Sequence, residues 1–152
     1  MIQNSMKKTL IVLFTACVIL GMSYNSADAQ STELGVIVGE PTGLSAKFWT
    51  GGSTAIDFAA AWSSGGDTIH FHSNYLVHMW LNNRSSFYVG LGGRVLLKDS
   101  SEFAARVPLG LQINLVRGRL GLFMELAPML DIIPETGSGI DINGALGLRF
   151  RF

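Results

Sequence analysis

The last thirteen residues, 140–152 (IDINGALGLRFRF), constrain the fold more than any other stretch of this chain. Ile140, Ile142, Gly144, Leu146, Leu148, Phe150 and Phe152 share one parity, and Asp141, Asn143, Ala145, Gly147, Arg149 and Arg151 share the other. Successive side chains of a strand point to opposite faces. A strict period of two therefore gives this segment one apolar face and one face of charged and small residues. The segment is expected to be a strand, and the polarity of its two faces is a test for everything upstream.

The same alternation recurs along the chain. Turn-forming clusters such as Gly51-Gly52-Ser53, Ser64-Gly65-Gly66-Asp67, Asp99-Ser100-Ser101-Glu102 and Arg117-Gly118 cut the sequence after residue 30 into eight runs: 33–39, 44–50, 54–63, 68–80, 86–98, 103–116, 119–132 and 140–152. One parity carries Leu34, Val36 and Val38, then Ile56, Phe58 and Trp62, Phe87, Val89 and Leu91, Leu109, Leu111 and Ile113, and Leu122, Met124 and Leu126. The other carries Glu33, Lys47, Asp57, His70, His72, Asn74, His78, Tyr88, Arg94, Arg106, Gln112, Asn114, Arg119, Glu125 and Asp131, with glycine and alanine in many remaining places. Two features depart from the pattern. Pro108 and Pro128 lie inside runs, where each removes a ladder hydrogen bond, so bulges or frayed ends are expected there. Trp49 and Trp80 take the polar parity near strand ends, whereas Trp62, Phe87, Phe150 and Phe152 take the apolar one.

The N-terminus reads as a processing segment. Lys7 and Lys8 precede an apolar stretch from Thr9 to Met22, and Ala27-Asp28-Ala29 has the form of a cleavage site, so a signal peptide over 1–29 is expected. A transmembrane helix is the weaker reading, because the apolar run is short for a span. Cys17 is the one cysteine, and lipid attachment there would need cleavage within Phe14-Thr15-Ala16-Cys17, a poor match inside an apolar run that continues to Leu20. The remaining chain, 30–152, has no cysteine for a disulfide. Basic and acidic residues number 11 each, and no basic stripe marks a nucleic-acid partner.

Parity alone does not say which face points inward. A soluble sandwich or ligand-binding barrel buries its apolar face. A membrane barrel turns that face to lipid and lines a narrow interior with polar groups. The even number of runs, the export segment and the small residues crowding the polar face favour the second. Most runs reach or approach the roughly 9–11 residues of a tilted membrane strand. The expected fold is all-β: an eight-stranded antiparallel up-and-down transmembrane β-barrel in the outer membrane.

Specific blocks point the same way. Gly39-Glu40-Pro41-Thr42-Gly43-Leu44-Ser45-Ala46-Lys47 resembles the GEPTGLSxK opening of a family of small, mostly uncharacterised bacterial outer-membrane β-barrel proteins. The alternating histidines of Ile69-His70-Phe71-His72-Ser73-Asn74-Tyr75-Leu76 and the segment Ala127-Pro128-Met129-Leu130-Asp131-Ile132-Ile133-Pro134-Glu135-Thr136-Gly137 are similar to two further blocks of that family. The architecture this implies is that of OmpA-like and OmpX-like barrels. The resemblance further implies outer-membrane lipids and lipopolysaccharide as surroundings, and a terminal Phe152, with Phe150, read by the barrel-assembly machinery. It implies no reaction, cofactor or macromolecular ligand.

Charges withdrawn from water need partners. Glu33, Asp57, Glu125, Asp131 and Asp141 are therefore expected to pair with Lys47, Arg94, Arg106, Arg119, Arg149 and Arg151 inside the barrel. The first and last strands of a closed barrel are neighbours, so Glu33 is expected to meet Arg149 or Arg151. Eight strands leave an interior that side chains just fill, which favours a plug over an ion path. His70 and His72 share a face and are the candidate metal ligands, but no cysteine or close third ligand accompanies them. A lipid-modifying enzyme would need an activated nucleophile beside a base. Ser73 alternates to the face opposite His70 and His72, so catalysis is not expected. A receptor role would rest on outer loops around Pro41, Gly65, Ser100 and Glu135, all of them short, with 98–106 as the one stretch that offers a surface.

Overall fold

The computed structural model describes residues 31–39, 42–62, 68–97, 102–133 and 140–152. The expected signal peptide, Cys17, and the turn residues Pro41, Gly65, Ser100 and Glu135 lie outside the described residues.

Among the described residues, nine antiparallel strands make up the sheet. They are β1 (Thr32–Gly39), β2 (Thr42–Trp49), β3 (Thr54–Trp62), β4 (Ile69–Trp80), β5 (Ser85–Leu97), β6 (Glu102–Arg106), β7 (Leu109–Leu115), β8 (Leu120–Ile133) and β9 (Ile140–Arg151). Strands consecutive in sequence pair with each other up to β5. Both β6 and β7 then pair with β5 on one side and β8 on the other, and β8 pairs with β9. The pairing of β1 with β9 returns the sheet onto itself, so each strand has neighbours on both sides. A closed sheet presents no unpaired edge.

The count differs from the eight runs of the sequence, and the two prolines explain why. Val107 N donates to Pro128 O at 3.0 Å, and Gly90 N donates to Pro108 O at 2.9 Å. A residue of an antiparallel strand points its N–H and C=O to the same neighbour. The proton that Pro128 lacks would have met Val107, and the one that Pro108 lacks would have met Gly90. Both losses fall in one place and split the expected run 103–116 into β6 and β7. Pro128 itself stays within a continuous β8, opposite Ile142 of β9. A register irregularity between Phe103 and Ala104 adds a second defect further along β6.

The remaining departures occur at turns. Val116–Gly118 forms a single 3-10 turn in which Val116 (φ 48°), Arg117 (φ 55°) and Gly118 (φ 84°) are all left-handed. This turn resets the alternation. Arg119, expected on the inner face, is exposed. It lies in the turn, where the period of two does not apply.

The two faces divide as the parity requires. Leu91 (67 % exposed), Leu126 (60 %) and Ile140 (74 %) lie on the outer surface, whereas Lys47 and Asp57 are buried to within 1 %. Glycines make room for interior side chains, as Gly110 and Gly147 show. A Cβ on Gly110 would run into the ring of Tyr88, and one on Gly147 into the ring of Phe123. Both rings therefore enter the interior over a strand that has no side chain beneath them.

Candidate functional site: the filled polar interior

All nine strands send side chains into the interior, and those side chains form tiers. The first tier lies at the end of the sheet where residues 31 and 152 meet the turns 50–53, 81–84 and 116–119. Glu33 and Arg151 are direct register partners across β1 and β9. Glu33 Oε1 accepts from Arg151 Nε at 2.9 Å and Nη2 at 2.5 Å, and from Trp49 Nε1 at 2.7 Å. Trp49 in turn stacks on Trp80, with ring centroids 5.8 Å apart. The polar parity of these two tryptophans thus has a structural reason. Trp49 is a buried donor to a carboxylate, and Trp80 covers it from outside.

The second tier is built on Lys47. It is flanked in register by Glu33 and Asp57, yet its ammonium reaches past both. Nζ lies 2.7 Å from His78 Nε2 and donates to Gln112 Oε1 at 2.7 Å. An ammonium has only protons to offer, so with Lys47 charged His78 Nε2 is the acceptor and Nδ1 carries the ring proton. That assignment makes His78 Nδ1 the donor to Ser86 Oγ, 2.9 Å away. Gln112 Nε2 passes the chain on to Asn114 Oδ1 at 2.9 Å. The faces of Trp49 and Tyr88, 4.7 and 5.2 Å from Nζ, complete the cage. Cation–π contact of this kind stabilises a desolvated ammonium without a counter-ion.

Deeper tiers hold the remaining charges. Asp57 accepts from Asn74 Nδ2 at 2.8 Å and from Arg149 Nη2 at 3.2 Å, while Arg149 Nε donates to Ser45 Oγ at 2.9 Å. The Arg149 guanidinium lies over the Phe123 ring at 3.9 Å. Glu125 accepts from Tyr88 OH at 2.9 Å and pairs with Arg106 Nη2. At the opposite end Arg94 pairs with Asp131 at 3.2 Å and lies 3.8 Å from Asp141.

Of the charges expected inside, Glu33, Lys47, Asp57, Arg94, Arg106, Glu125 and Arg149 are buried, Asp131 and Arg151 are half-buried, and Asp141 is exposed. Arg151 meets Glu33, and Arg149 reaches instead across the interior to Asp57 on β3. Lys47 has no carboxylate within ion-pair distance among the described residues. The void lined by Ile37, Asp57, His72, Arg106, Phe123, Glu125 and Arg149 measures about 10 Å³, room for about one water.

The other candidates fall as follows. His72 is buried beside Arg106 and Arg149, a setting that opposes a cation, and His70 is half-buried. Among the described residues no group of three or more His, Cys, Asp or Glu side chains is placed to hold a metal ion. Ser73 lies half-buried on the outer face, and His72 and Asn74 point inward. Phe150 and Phe152 are exposed on the outer surface with their rings edge to face at 5.2 Å. A reading that singled out charged and polar groups passed over the apolar interior residues Ile37, Leu76, Leu96, Phe123 and Met129. They sit on the polar parity as isolated hydrophobes, and only the facing glycine at Gly147 hints that Phe123 has room.

No protein-family model and no curated protein matches the sequence. Solved structures do match. A protein from the de novo design of transmembrane β-barrels superposes with a TM-score of 0.61 at 14 % identity over 82 % of this chain and 98 % of that one. The solution NMR structure of the designed TMB2.3 gives 0.60 at 13 % identity over 84 % and 98 %. The outer-membrane protein Ail of Yersinia pestis, in a phospholipid bilayer nanodisc, gives 0.51 at 15 % identity over 81 % and 98 %. At these identities the likeness is one of fold, and that fold is an antiparallel transmembrane β-barrel.

Proposed function

We propose that this chain is an integral outer-membrane β-barrel of eight staves, β6 and β7 forming one, with a side-chain-filled interior and a structural or interactive role rather than a catalytic one. The inverted polarity of the closed sheet carries this reading. Large apolar side chains cover its outside, whereas Glu33, Lys47, Asp57, Arg106, Glu125 and Arg149 are buried within. In water that exterior would cost roughly 25 cal/mol for each Å² of apolar surface left unburied. Against lipid the same surface is at home, and the polar groups that lipid would penalise are turned inward.

Strand lengths support it. β4, β5, β8 and β9 have 12 to 14 residues, enough to cross a hydrocarbon core at a tilt. Outer-membrane lipids and lipopolysaccharide are the surroundings this reading assigns. Phe152, main-chain bonded to Thr32 at 2.9 Å beside the β1–β9 seam, is the residue it offers to the assembly machinery. Removal of 1–29 on export belongs to the same proposal, as do the absence of a cofactor and of a nucleic-acid partner.

Membrane fractionation tests the location. The protein should be recovered with the outer membrane, and its folded form should migrate differently on gels before and after heating. A chain that stays in solution without detergent would overturn the proposal. Planar-bilayer recordings test the plug. Stepwise conductance that changes on substitution of Arg106 or Arg149 would mean that the interior conducts. Mass spectrometry of lipid A tests the non-catalytic role, and an acyl difference lost with Ser73→Ala would refute it.

A further inference from the structure

The end of the sheet that holds residues 31 and 152 carries a concavity that opens beyond the first tier and shares Trp80, Asn114 and Arg151 with the tiers. It holds about 390 Å³ and is lined by Trp80, Asn83, Arg84, Asn114, Arg117 and Arg151 together with residues 115, 116 and 118. Every charged group on that lining is an arginine. Arg84 and Arg117 are exposed, and among the described residues no carboxylate lies within ion-pair distance of either. Arg151 is held by Glu33 and keeps its side chain 27 % exposed at the rim. Asn114 accepts from Gln112 through Oδ1, which leaves its amide protons for the concavity.

The lining is held by the main chain rather than left to mobile tips. Arg84 O accepts from Asn114 N at 2.7 Å, and Arg119 O accepts from Arg151 N at 2.7 Å, so each arginine-bearing turn is bonded to a strand that lines the site. Asn82 Oδ1 accepts from the N–H groups of Arg84 and Ser85 at 2.9 and 2.8 Å, fixing the first turn. The second turn holds Val116 and Arg117 left-handed, where a β-branched residue is strongly disfavoured. Trp80 Nε1 donates to Gly52 O at 3.1 Å, which sets the indole as a wall.

We infer that this concavity is a binding site for a phosphate-type anion, with Arg84, Arg117 and Arg151 supplying guanidinium contacts and Asn114 an amide donor. Guanidinium forks match phosphate oxygens in pairs: those of Arg84 and Arg117 are open, Arg151 already gives Nε and Nη2 to Glu33 and has its remaining N–H groups to offer, and no carboxylate is among the lining residues to hold a cation. The volume exceeds that of a bare ion and suits a phosphate ester. Two sources share that chemistry, the headgroup of an anionic phospholipid and a free phosphate. The headgroup source rests on the membrane reading proposed above, whereas the site rests on the geometry of this end alone.

The test uses the full chain refolded in alkyl-glucoside micelles, which contain no phosphate. Folding is monitored by heat-modifiable migration and binding by indole emission and titration calorimetry. The probes are dihexanoylphosphatidylglycerol, dihexanoylphosphatidylcholine and inorganic phosphate. The phosphatidylglycerol should bind at least about tenfold more tightly than the phosphatidylcholine, and Arg84→Gln/Arg117→Gln should weaken it by about tenfold or more. Arg119→Gln, an exposed arginine outside the lining, should change it less than about twofold. Inorganic phosphate binding as tightly as the phosphatidylglycerol would support the site and assign the free anion as its source. Equal binding of both lipids, no binding by the folded wild type, or equal losses in the Arg119 and paired variants would each overturn the inference. If the glutamine pair does not fold, Arg84→Lys/Arg117→Lys keeps the charge and should still lose affinity through the missing forks. A wild type that fails to fold in micelles at all would count against the membrane reading instead.

Discussion

The pair formed by Glu125 and Arg106 offers the sharpest test of what holds the interior together. Their side chains are 5 % and 3 % exposed, and Glu125 also accepts the Tyr88 hydroxyl at 2.9 Å. Among the described residues Arg106 Nε and Nη1 have no hydrogen-bond partner, and Glu125 is the one carboxylate bonded to this guanidinium. Glu125→Ala would leave a buried cation with no hydrogen-bonded counter-charge, and would strand the Tyr88 hydroxyl as well. Breaking a buried pair by removing one partner costs about 3–5 kcal/mol, more than a neutral hydrogen bond because the orphaned charge stays desolvated. Removing both charges should cost less. In Arg106→Met/Glu125→Leu the guanidinium is gone, and the residual loss is that of the Tyr88 bond and imperfect packing, about 1–3 kcal/mol. The assay is urea unfolding of the refolded protein in micelles, followed by tryptophan emission and heat-modifiable migration, with both single variants completing the cycle. A double variant less stable than Glu125→Ala, or a single variant within about 0.5 kcal/mol of wild type, would show that the interior charges are solvated rather than mutually dependent.

Four further outcomes follow from the same structure. Gly147→Ala should lower stability by about 1–3 kcal/mol, because its Cβ would enter the Phe123 ring and lie 2.9 Å from Val36 O. Gly144→Ala three residues earlier meets only Leu126 Cδ2 at 3.6 Å and should be neutral or stabilising in the same urea titration. Val116→Asn should raise the unfolding free energy by about 1 kcal/mol, since Val116 is 67 % exposed and left-handed, and a fall would refute the strain. Pro128→Ala restores an N–H facing Val107, so slower amide exchange across the break between β6 and β7 is expected. Unchanged exchange there would mean that Pro108 alone causes the break.

Much of this arrangement was legible because a strand converts parity into direction. Lys47, Asp57, Arg94, Arg106, Glu125 and Arg149 all lie inside: alternation puts them on one face, and the even number of runs, the export segment and the small residues beside them turn that face inward. Partner choice was a different matter. Arg149 and Arg151 have the same parity and sit two residues apart, but Arg151 is opposite Glu33 in register while Arg149 crosses the interior to Asp57. That depends on stagger between strands, which no single strand encodes. Parity also fails wherever the backbone leaves the extended region. Arg119 follows three left-handed residues and so loses its phase. The extra strand has a similar origin. Pro108 and Pro128 were each visible in the sequence, but only pairing reveals that their missing protons coincide at one break.

The closing strand ties these observations together. Arg151 bonds Glu33 across 118 residues of sequence, and Arg149 bonds Asp57 across 92. Pairing β1 with β9 is therefore the least local step in forming the sheet, with the largest chain entropy to overcome. Until it happens, Glu33 and Asp57 are without these cations, and Arg149 and Arg151 are without these carboxylates. An open sheet would hold those four charges inside or beside an apolar exterior with no compensation. Closing the β1–β9 seam joins two ion pairs and the remaining ladder of backbone hydrogen bonds in the same event. The charges of β9 thus act less as separate contributors than as a condition on closure, one that a partly closed or register-shifted sheet does not meet. A slip of one residue between β1 and β9 would set Glu33 opposite Phe150 or Phe152 and turn a cation toward the outer surface. The Glu33–Arg151 pair thus separates the observed register of the seam from a slipped one.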